Sequence, residues 1–240
     1  MTHIAILTPT YHRSHFIEQY IHQLKKQTYP HQFIHIFIDD DGYIPFIQDI
    51  DNVRQQLYPM KLTYIQSSNK RNVGQKRNSL VKRVIKDMGV QTICINVDDD
   101  DYQNEDRIRA QVTMIQNQNL LLVGSKDCII VYPLYNWIMA LIKCDELAQI
   151  HEGTMAFVCK LWISNGGFSN ISKAEGYLFV ELSPSHKISH MDIGNLLVCV
   201  AHQDNTVNKD YFKDMNVLQF EWSEYDKAII QRSLDLRTTS

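Results

Sequence analysis

Two runs of carboxylates carry the most chemistry in this sequence, Asp39-Asp40-Asp41 and Asp98-Asp99-Asp100-Asp101. Aspartates packed this closely repel one another and hold protons more tightly unless a cation neutralises them. An all-oxygen cluster suits a hard ion such as Mg2+ or Mn2+. Asp98 and Asp100 share one side of the preceding strand if that strand continues so far. Neither run fits an EF-hand, which needs glycine at position 6 and glutamate at position 12. From Asp98 these positions hold Gln103 and Arg109, and from Asp39 they hold Ile44 and Ile50. Helix capping by Asp101 or Asn104 would account for one aspartate, not four. The signatures GxGxxG, GxxxxGK[ST], GxSxG and HExxH are absent, which sets aside the usual dehydrogenase, P-loop and α/β-hydrolase readings.

The surrounding pattern says what positions these runs. Residues 3–7, 33–38, 62–65, 92–97 and 120–123 read as short apolar strands. Between them lie helical patterns: Phe16, Ile17, Tyr20, Ile21 and Leu24; residues 46–57; Leu80, Val81, Val84, Ile85 and Met88, closed by Gly89; and residues 107–116. Strands alternating with helices imply an α/β fold with a mostly parallel sheet flanked on both faces. Such sheets bind ligands beyond the carboxyl ends of their strands. There the sequence places Thr8 to Arg13, Asp39 to Gly42, Ser67 to Asn72 and Asp98 to Asp101. One carboxylate run is often a solvated turn. Two on one sheet edge, with basic residues at the ends of strands one and three, read as a site.

The second half differs. Residues 128–131 and 137–142 read as strands about a turn at Pro133, 154–158 as a short run, 175–182 as a helix, 196–201 as a strand and 221–234 as a terminal helix. No low-complexity linker or repeat interrupts the chain, so residues 1–240 are expected to form one domain.

Composition narrows the class. The chain has 240 residues, 44% of them hydrophobic, and a net charge of −3, which gives no broad electrostatic footprint for nucleic acid. Five scattered cysteines without a CxxC pair read as buried free thiols in a reducing compartment, hence a cytoplasmic protein. The first residues lack the basic flank of a signal peptide. The longest apolar stretch, 129–142, is broken by Pro133 and Asn136 and falls short of the roughly 18–20 residues that span a bilayer. Peripheral membrane contact stays open.

The sequence resembles the family 2 glycosyltransferases, which have the GT-A fold. Four segments carry the resemblance in order: Thr8-Pro9-Thr10-Tyr11-His12-Arg13, Ile38-Asp39-Asp40-Asp41-Gly42, Gly74-Gln75-Lys76-Arg77-Asn78, and Ile95 to Asp101 leading into a DxD-type motif. Gly153 to Phe157 and Gly166-Gly167-Phe168 resemble the acceptor-side segment, and His202-Gln203-Asp204-Asn205-Thr206 a late HxxN[ST] segment. Glu175 falls where the family usually has Glu-Asp, but here Gly176 follows.

The resemblance implies a transferase that moves a sugar from a nucleotide-sugar donor, a UDP-sugar by family weight, to a glycan or other hydroxyl acceptor. Residues 1–125 would form the donor half and residues 126–240 the acceptor half with a terminal helix. Thr8, Tyr11 and one of Asp39, Asp40 and Asp41 would hold the nucleobase, with Arg13 in the same loop. Arg71 would lie beside the base or diphosphate; Arg77 and Asn78 would reach the same place or brace the acidic strand ends. Asp98 would contact ribose or metal, with Asp99 beside it at the nucleotide. Asp100 would be the main ligand of Mn2+ or Mg2+, which neutralises the departing diphosphate. His202 would complete the metal site or touch the diphosphate; His186 and His190 are rivals if their segment is helical. Glu175 would be the general base of an inverting reaction, with Asp192 in reserve. Tyr135, Trp137 and Trp162 would form a sugar platform or pack in the core. Two rival classes remain. A sugar nucleotidyltransferase would carry a glycine-rich loop after strand one, which Thr8 to Arg13 lacks. A GT-A module that binds without catalysis is kept open by Gly176.

Overall fold

The computed structural model describes residues 2–213, 215, 217–218 and 222–237. In chain order the elements are β1 (Ile4–Thr10), α1 (Ile17–Lys25), β2 (Ile34–Asp40), α2 (Ile50–Leu57), β3 (Lys61–Gln66), α3 (Val73–Met88), β4 (Ile93–Asn96), β5 (Tyr102–Gln103), α4 (Arg107–Asn117) and β6 (Leu122–Gly124). They continue with β7 (Cys128–Tyr132), β8 (Ile138–Ile142), β9 (Ala156–Val158), α5 (Cys159–Asn165), α6 (Tyr177–Glu181), β10 (Ile188–His190), β11 (Leu197–Val200), β12 (Val217–Leu218) and α7 (Glu224–Arg237).

Seven strands form the main sheet in the order β10-β6-β9-β4-β1-β2-β3. All neighbours are parallel except around β9, which runs against both β4 and β6. β1 is buried along its whole length, and its alternation builds both cores. Ile4 and Ile6 join Ile36 and Ile38 against α1, α2 and α4, through Leu24, Val53 and Val112. Ala5 and Leu7 join Phe37 and Cys94 against α3 and α6, through Leu80, Val84 and Phe179. Each buried Ile, Leu, Val or Phe contributes about 1.5–3 kcal/mol, so helices on both faces are what a doubly apolar strand requires. This is the α/β GT-A architecture expected from the sequence.

A smaller mixed sheet, β12-β8-β7-β11-β5, stands beside it. One of its faces packs against Trp222 and Ile230, which brings α7 down on it. Asp226 of α7 also pairs with Lys26 at the end of α1, at 3.1 Å.

Several boundaries differ from the sequence pattern. α2 begins at Ile50, not 46, with Asp49 capping it through the amide of Asn52. Phe46 and Ile47 look helical only because they are buried core residues of the preceding loop. β4 ends at Asn96, so strand alternation does not reach Asp98 and Asp100. α4 follows Asp106, whose own side chain makes no cap bond; Oδ1 of Asn104 accepts from the Asp106 amide at 2.9 Å, and Asp101 takes no part. Glu175 lies ahead of α6 in a turn. Residue 221, the expected start of the last helix, lies outside the described residues. Cys128 and Cys144 are half-buried rather than buried. No described helix is long and apolar enough to cross a membrane.

Candidate active site

The chain leaves β4 and stays against β1, where the amide of Val97 donates to the carbonyl of Leu7 at 3.0 Å. This delivers the four aspartates to the carboxyl edge of the main sheet, where they fan out onto different partners. Asp98 meets Arg77 at 3.0 Å. Asp99 turns inward and accepts from the Thr10 hydroxyl at 2.5 Å and from Arg13 at 2.8 Å. Burial raises its pKa to about 6 against the pull of Arg13. Asp100 lies 2.9 Å from Arg13 and 2.8 Å from Nε2 of His202. Burial opposes its charge, but Arg13 and His202 overcome it and hold the carboxyl well below the usual range. Asp101 turns to the small sheet and accepts from the amide of Val200 at 3.2 Å. Burial pushes it up to about 7, with Lys209 opposing and Asp100 and Asp98 reinforcing.

The basic frame comes from α3. Its Asn72–Gln75 capping box fixes the helix start. Gly74 lets that start press on the 169–171 turn: a Cβ there would meet the carbonyl oxygen of Ser169 at 1.8 Å. α3 is thereby tied to the segment that carries Glu175. Lys76 donates to the carbonyl of Thr10 at 2.6 Å and pairs with Asp41. Arg77 reaches Asp98 and, through Nε, Glu175 at 3.0 Å. Its NH1 is buried without a hydrogen-bond partner among the described residues, a donor aimed at no protein acceptor. Beneath the acidic run, Arg107 is fully buried and donates at 2.6 Å to the carbonyls of Asn96 and Gly153.

At the end of β2 the three aspartates also divide. Asp39 pairs with Arg71, and its pKa is raised by burial despite that pairing. Asp41 accepts from the amide of Arg71 at 2.5 Å and pairs with Lys76. It lines an open cleft of about 500 Å3 together with Tyr11, His12, Tyr43 and Lys70. The Tyr11 ring lies in that cleft beneath the Lys70 ammonium, 4.2 Å from the ring centre.

Four expected ligands are committed elsewhere. The Thr8 hydroxyl is buried, donating to the carbonyl of Val97 and accepting from the Tyr20 hydroxyl, each at 2.7 Å. Asp40 accepts from the amides of Gly42 and Phe46 and from the Tyr64 hydroxyl, at 2.8, 2.7 and 2.5 Å. It braces the loop after β2, and its loss would orphan three donors. Asn78 bridges the amide and carbonyl of Phe168 and the Trp162 indole. Asp192 is exposed and caps a turn at the amide of Gly194.

His202 lies just beyond β11, beside Asp100. Its Nδ1 accepts from the amide of Asp204 at 3.1 Å, so the other nitrogen faces Asp100. His186 lies in a short turn and His190 on β10, so they share no helical face. The aromatic platform does not form: Trp162 is held by Asn78, Trp137 packs on Trp222, and Tyr135 lies beside Tyr132.

Glu175 is buried, and its pKa is raised first by burial, opposed by Arg77 and reinforced by Glu152. Glu152 is the residue the sequence concealed. Its carboxylate accepts from the amide of Gly176 at 3.0 Å. A Cβ at 176 would lie 2.7 Å from Met155 and 2.8 Å from Glu152, so Glu152 fills the space beside the glycine. It lies in a one-turn helix without periodicity, which left no signal. Lys209 also escaped notice; it approaches Asp101 at 4.0 Å.

Asp98, Asp100, Arg77, Glu152, Glu175 and Lys209 line one cavity of about 160 Å3. Asp100 and His202 present oxygen and nitrogen 2.8 Å apart. Here Nε2–H donates to Asp100; the spacing also matches the roughly 2.9 Å between adjacent ligands of an octahedral ion with bonds of about 2.0–2.1 Å, and a hard divalent cation would take that proton's place once the ring proton moves to Nδ1 and the Asp204 amide turns away. Asp98 faces Arg77 on the same cavity.

Comparison with known proteins bears on the fold and the family. No curated protein matches the chain significantly in sequence. Among solved structures, S. aureus TarS residues 1–349 in complex with UDP-GlcNAc superposes with a TM-score of 0.65 at 16% identity, over 85% of this chain and 60% of that one. The corresponding complex with UDP gives 0.63 at 18% identity, over 84% and 61%. The mannosyltransferase PcManGT from Pyrobaculum calidifontis, in complex with GDP-Man and Mn2+, gives 0.59 at 17% identity, over 88% and 58%. The chain therefore spans about 60% of the length of these solved chains, and 37% of a longer TarS chain, and it shares their fold. The family model for glycosyl transferase family 2 matches residues 5–182, and the chain belongs to that family.

Proposed function

We propose that the chain transfers a sugar from a UDP-sugar to a hydroxyl acceptor, a glycan or other alcohol, with inversion at the anomeric carbon. The observation that carries this reading is the juxtaposition of Asp100 and His202 at 2.8 Å beside a cavity that also holds Arg77 and Glu175. The choice of uridine draws support from the two TarS complexes, and the choice of Mn2+ over Mg2+ from the mannosyltransferase complex.

Asp100 and His202 would hold the ion, with Asp98 at its edge or on the ribose. A bound divalent cation supplies Lewis-acid neutralisation of the diphosphate. The free NH1 of Arg77 would donate to a diphosphate oxygen, and Lys209 would add charge from the small sheet. Tyr11 would stack on the base, while Asp39 or Asp41, held by Arg71, would accept from its N–H. Arg13, which lines the same cavity, favours the charged forms of Asp99 and Asp100. Glu175 would take the acceptor hydroxyl proton, its basicity raised by burial. Release of UDP from a UDP-sugar in the presence of Mn2+ and candidate glycan acceptors tests the reading. A domain that only binds donor would release none.

A further inference from the structure

One cluster beside the cavity belongs to a different chemistry. Cys128 opens β7 and Cys199 lies in β11, and their sulfurs approach to 3.6 Å across the small sheet. His151 reaches the same point from the turn that leads into β9 of the main sheet. One ligand atom from each of the three lies within 4.8 Å of the others, the one such set of three among the described residues. It leaves no pattern in the sequence, because the residues are separated by more than twenty positions at every step and form no CxxC or HxxH.

Three further observations point to a ligand. Nδ1 of His151 is buried without a hydrogen-bond partner among the described residues, a costly state for a polar atom. The His151 amide donates to the carbonyl of Ser125 at 2.8 Å, and its carbonyl accepts from the amide of Thr154 at 2.9 Å. The ring is therefore carried on fixed backbone. Finally, Oδ2 of Asp101 lies 3.6 Å from the Cys199 sulfur, while Oδ1 is occupied by the amide of Val200. Two sulfurs and an imidazole thus converge from three separate segments, and Cys199 and His151 border the cavity.

The donor set decides the class of ion. Thiolates and imidazole select a borderline-soft cation, whereas Mn2+ and Mg2+ prefer oxygen. Tetrahedral zinc with Zn–S bonds of about 2.3 Å places two sulfurs about 3.8 Å apart, close to the spacing here. A disulfide would need about 2.05 Å.

We propose that Cys128, Cys199 and His151 bind a zinc ion that staples the small sheet to the main sheet beneath the acidic run, with the fourth position facing the cavity and open to solvent. Binding requires each thiol to lose its proton to solvent. The ion does not enter the transfer reaction; it fixes Cys199, whose sulfur lies 3.6 Å from Asp101, the last of the four aspartates. It stands whether or not the chain is a transferase, because it rests on separate residues.

Cobalt is the probe. The full chain, reduced and stripped with chelator, is titrated with Co2+ and followed by absorption. The expected result is one equivalent bound, with the intense visible bands of tetrahedral cobalt and a thiolate charge-transfer band, both displaced by Zn2+. Cys128→Ser should lose about half of the charge-transfer intensity and bind at least about 10-fold more weakly, since losing even an outer hydrogen-bond partner costs 10–100-fold. His151→Gln should weaken binding while keeping both thiolate contributions, and it serves if the cysteine variant does not fold. Asp100→Ala should leave the cobalt spectrum unchanged, separating this ion from the one at His202. Absence of a charge-transfer band in the wild-type chain overturns the proposal. So does a band that survives Cys128→Ser at full intensity, or an intact mass lower by two hydrogens that locates a Cys128–Cys199 disulfide.

Discussion

Asp100→Ala is expected to cut turnover by about 10²–10³-fold, the scale on which one electrostatic stabiliser of a developing charge acts. It should also abolish stabilisation of the protein by a nucleoside diphosphate that depends on Mn2+. The reason is local. Asp100 is the carboxylate whose charge Arg13 and His202 secure most firmly, and it shares its partner atom with the imidazole at 2.8 Å. The fold should survive, because Arg13 keeps its contact with Asp99 and the main sheet does not depend on Asp100. Asp100→Asn, which preserves shape but not charge, should fall with it. Steady-state kinetics with Mn2+ and with EDTA, beside melting curves of both variants, measure this. Wild-type activity that persists in EDTA would rule the metal out.

Glu175→Gln should lower kcat by about 10²–10⁴-fold, the usual contribution of a positioned general base. Glutamine still accepts from Nε of Arg77, so the frame holds and donor affinity should barely move. Because burial raises the pKa of Glu175, the wild-type rate should fall with acid along a limb above the ordinary glutamate range. A base works only when deprotonated, so activity is lost as pH drops, and Gln should remove that limb. Asp192→Asn should be silent, since Asp192 only caps an exposed turn. Glu152→Gln decides whether the neighbouring carboxylate shares the role: a larger loss there would transfer it to Glu152. A product that retains the donor's anomeric configuration, or an unaffected Glu175→Gln, rejects the assignment.

Much of the fold was legible because its signals are local. β1, β2, β3 and β4 are short apolar runs, the helices between them repeat at helical spacing, and the polar segments follow each strand directly. The ordered segments from Thr8 to Asp101 located the sheet edge for the same reason. What each side chain does there was legible only in part. Thr8 meets Val97, Asn78 meets Phe168, and Arg77 meets Glu175, each pair about 90 positions apart or more. Spacing along the chain carries no trace of such partners. Within Asp39-Asp40-Asp41, adjacency concealed a division of labour: Asp40 serves the loop, while Asp39 and Asp41 face Arg71. Gly176 reads in sequence as a loss, yet the space beside it is filled by Glu152, which lies 24 residues earlier.

Binding of a nucleotide sugar through a divalent cation should be visible in a melting-temperature panel. UDP, GDP, CDP and ADP, with UDP-sugars and GDP-mannose, are each added at saturating concentration with Mn2+ and with EDTA. A ligand at 100 times its Kd stabilises by about 2.7 kcal/mol, which for a chain of 240 residues corresponds to about 5–10 °C. The account predicts a shift of that size for UDP and at least one UDP-sugar with Mn2+, its loss in EDTA, and its loss in Asp100→Ala. No shift with any nucleotide, or an equal shift in EDTA, would contradict it.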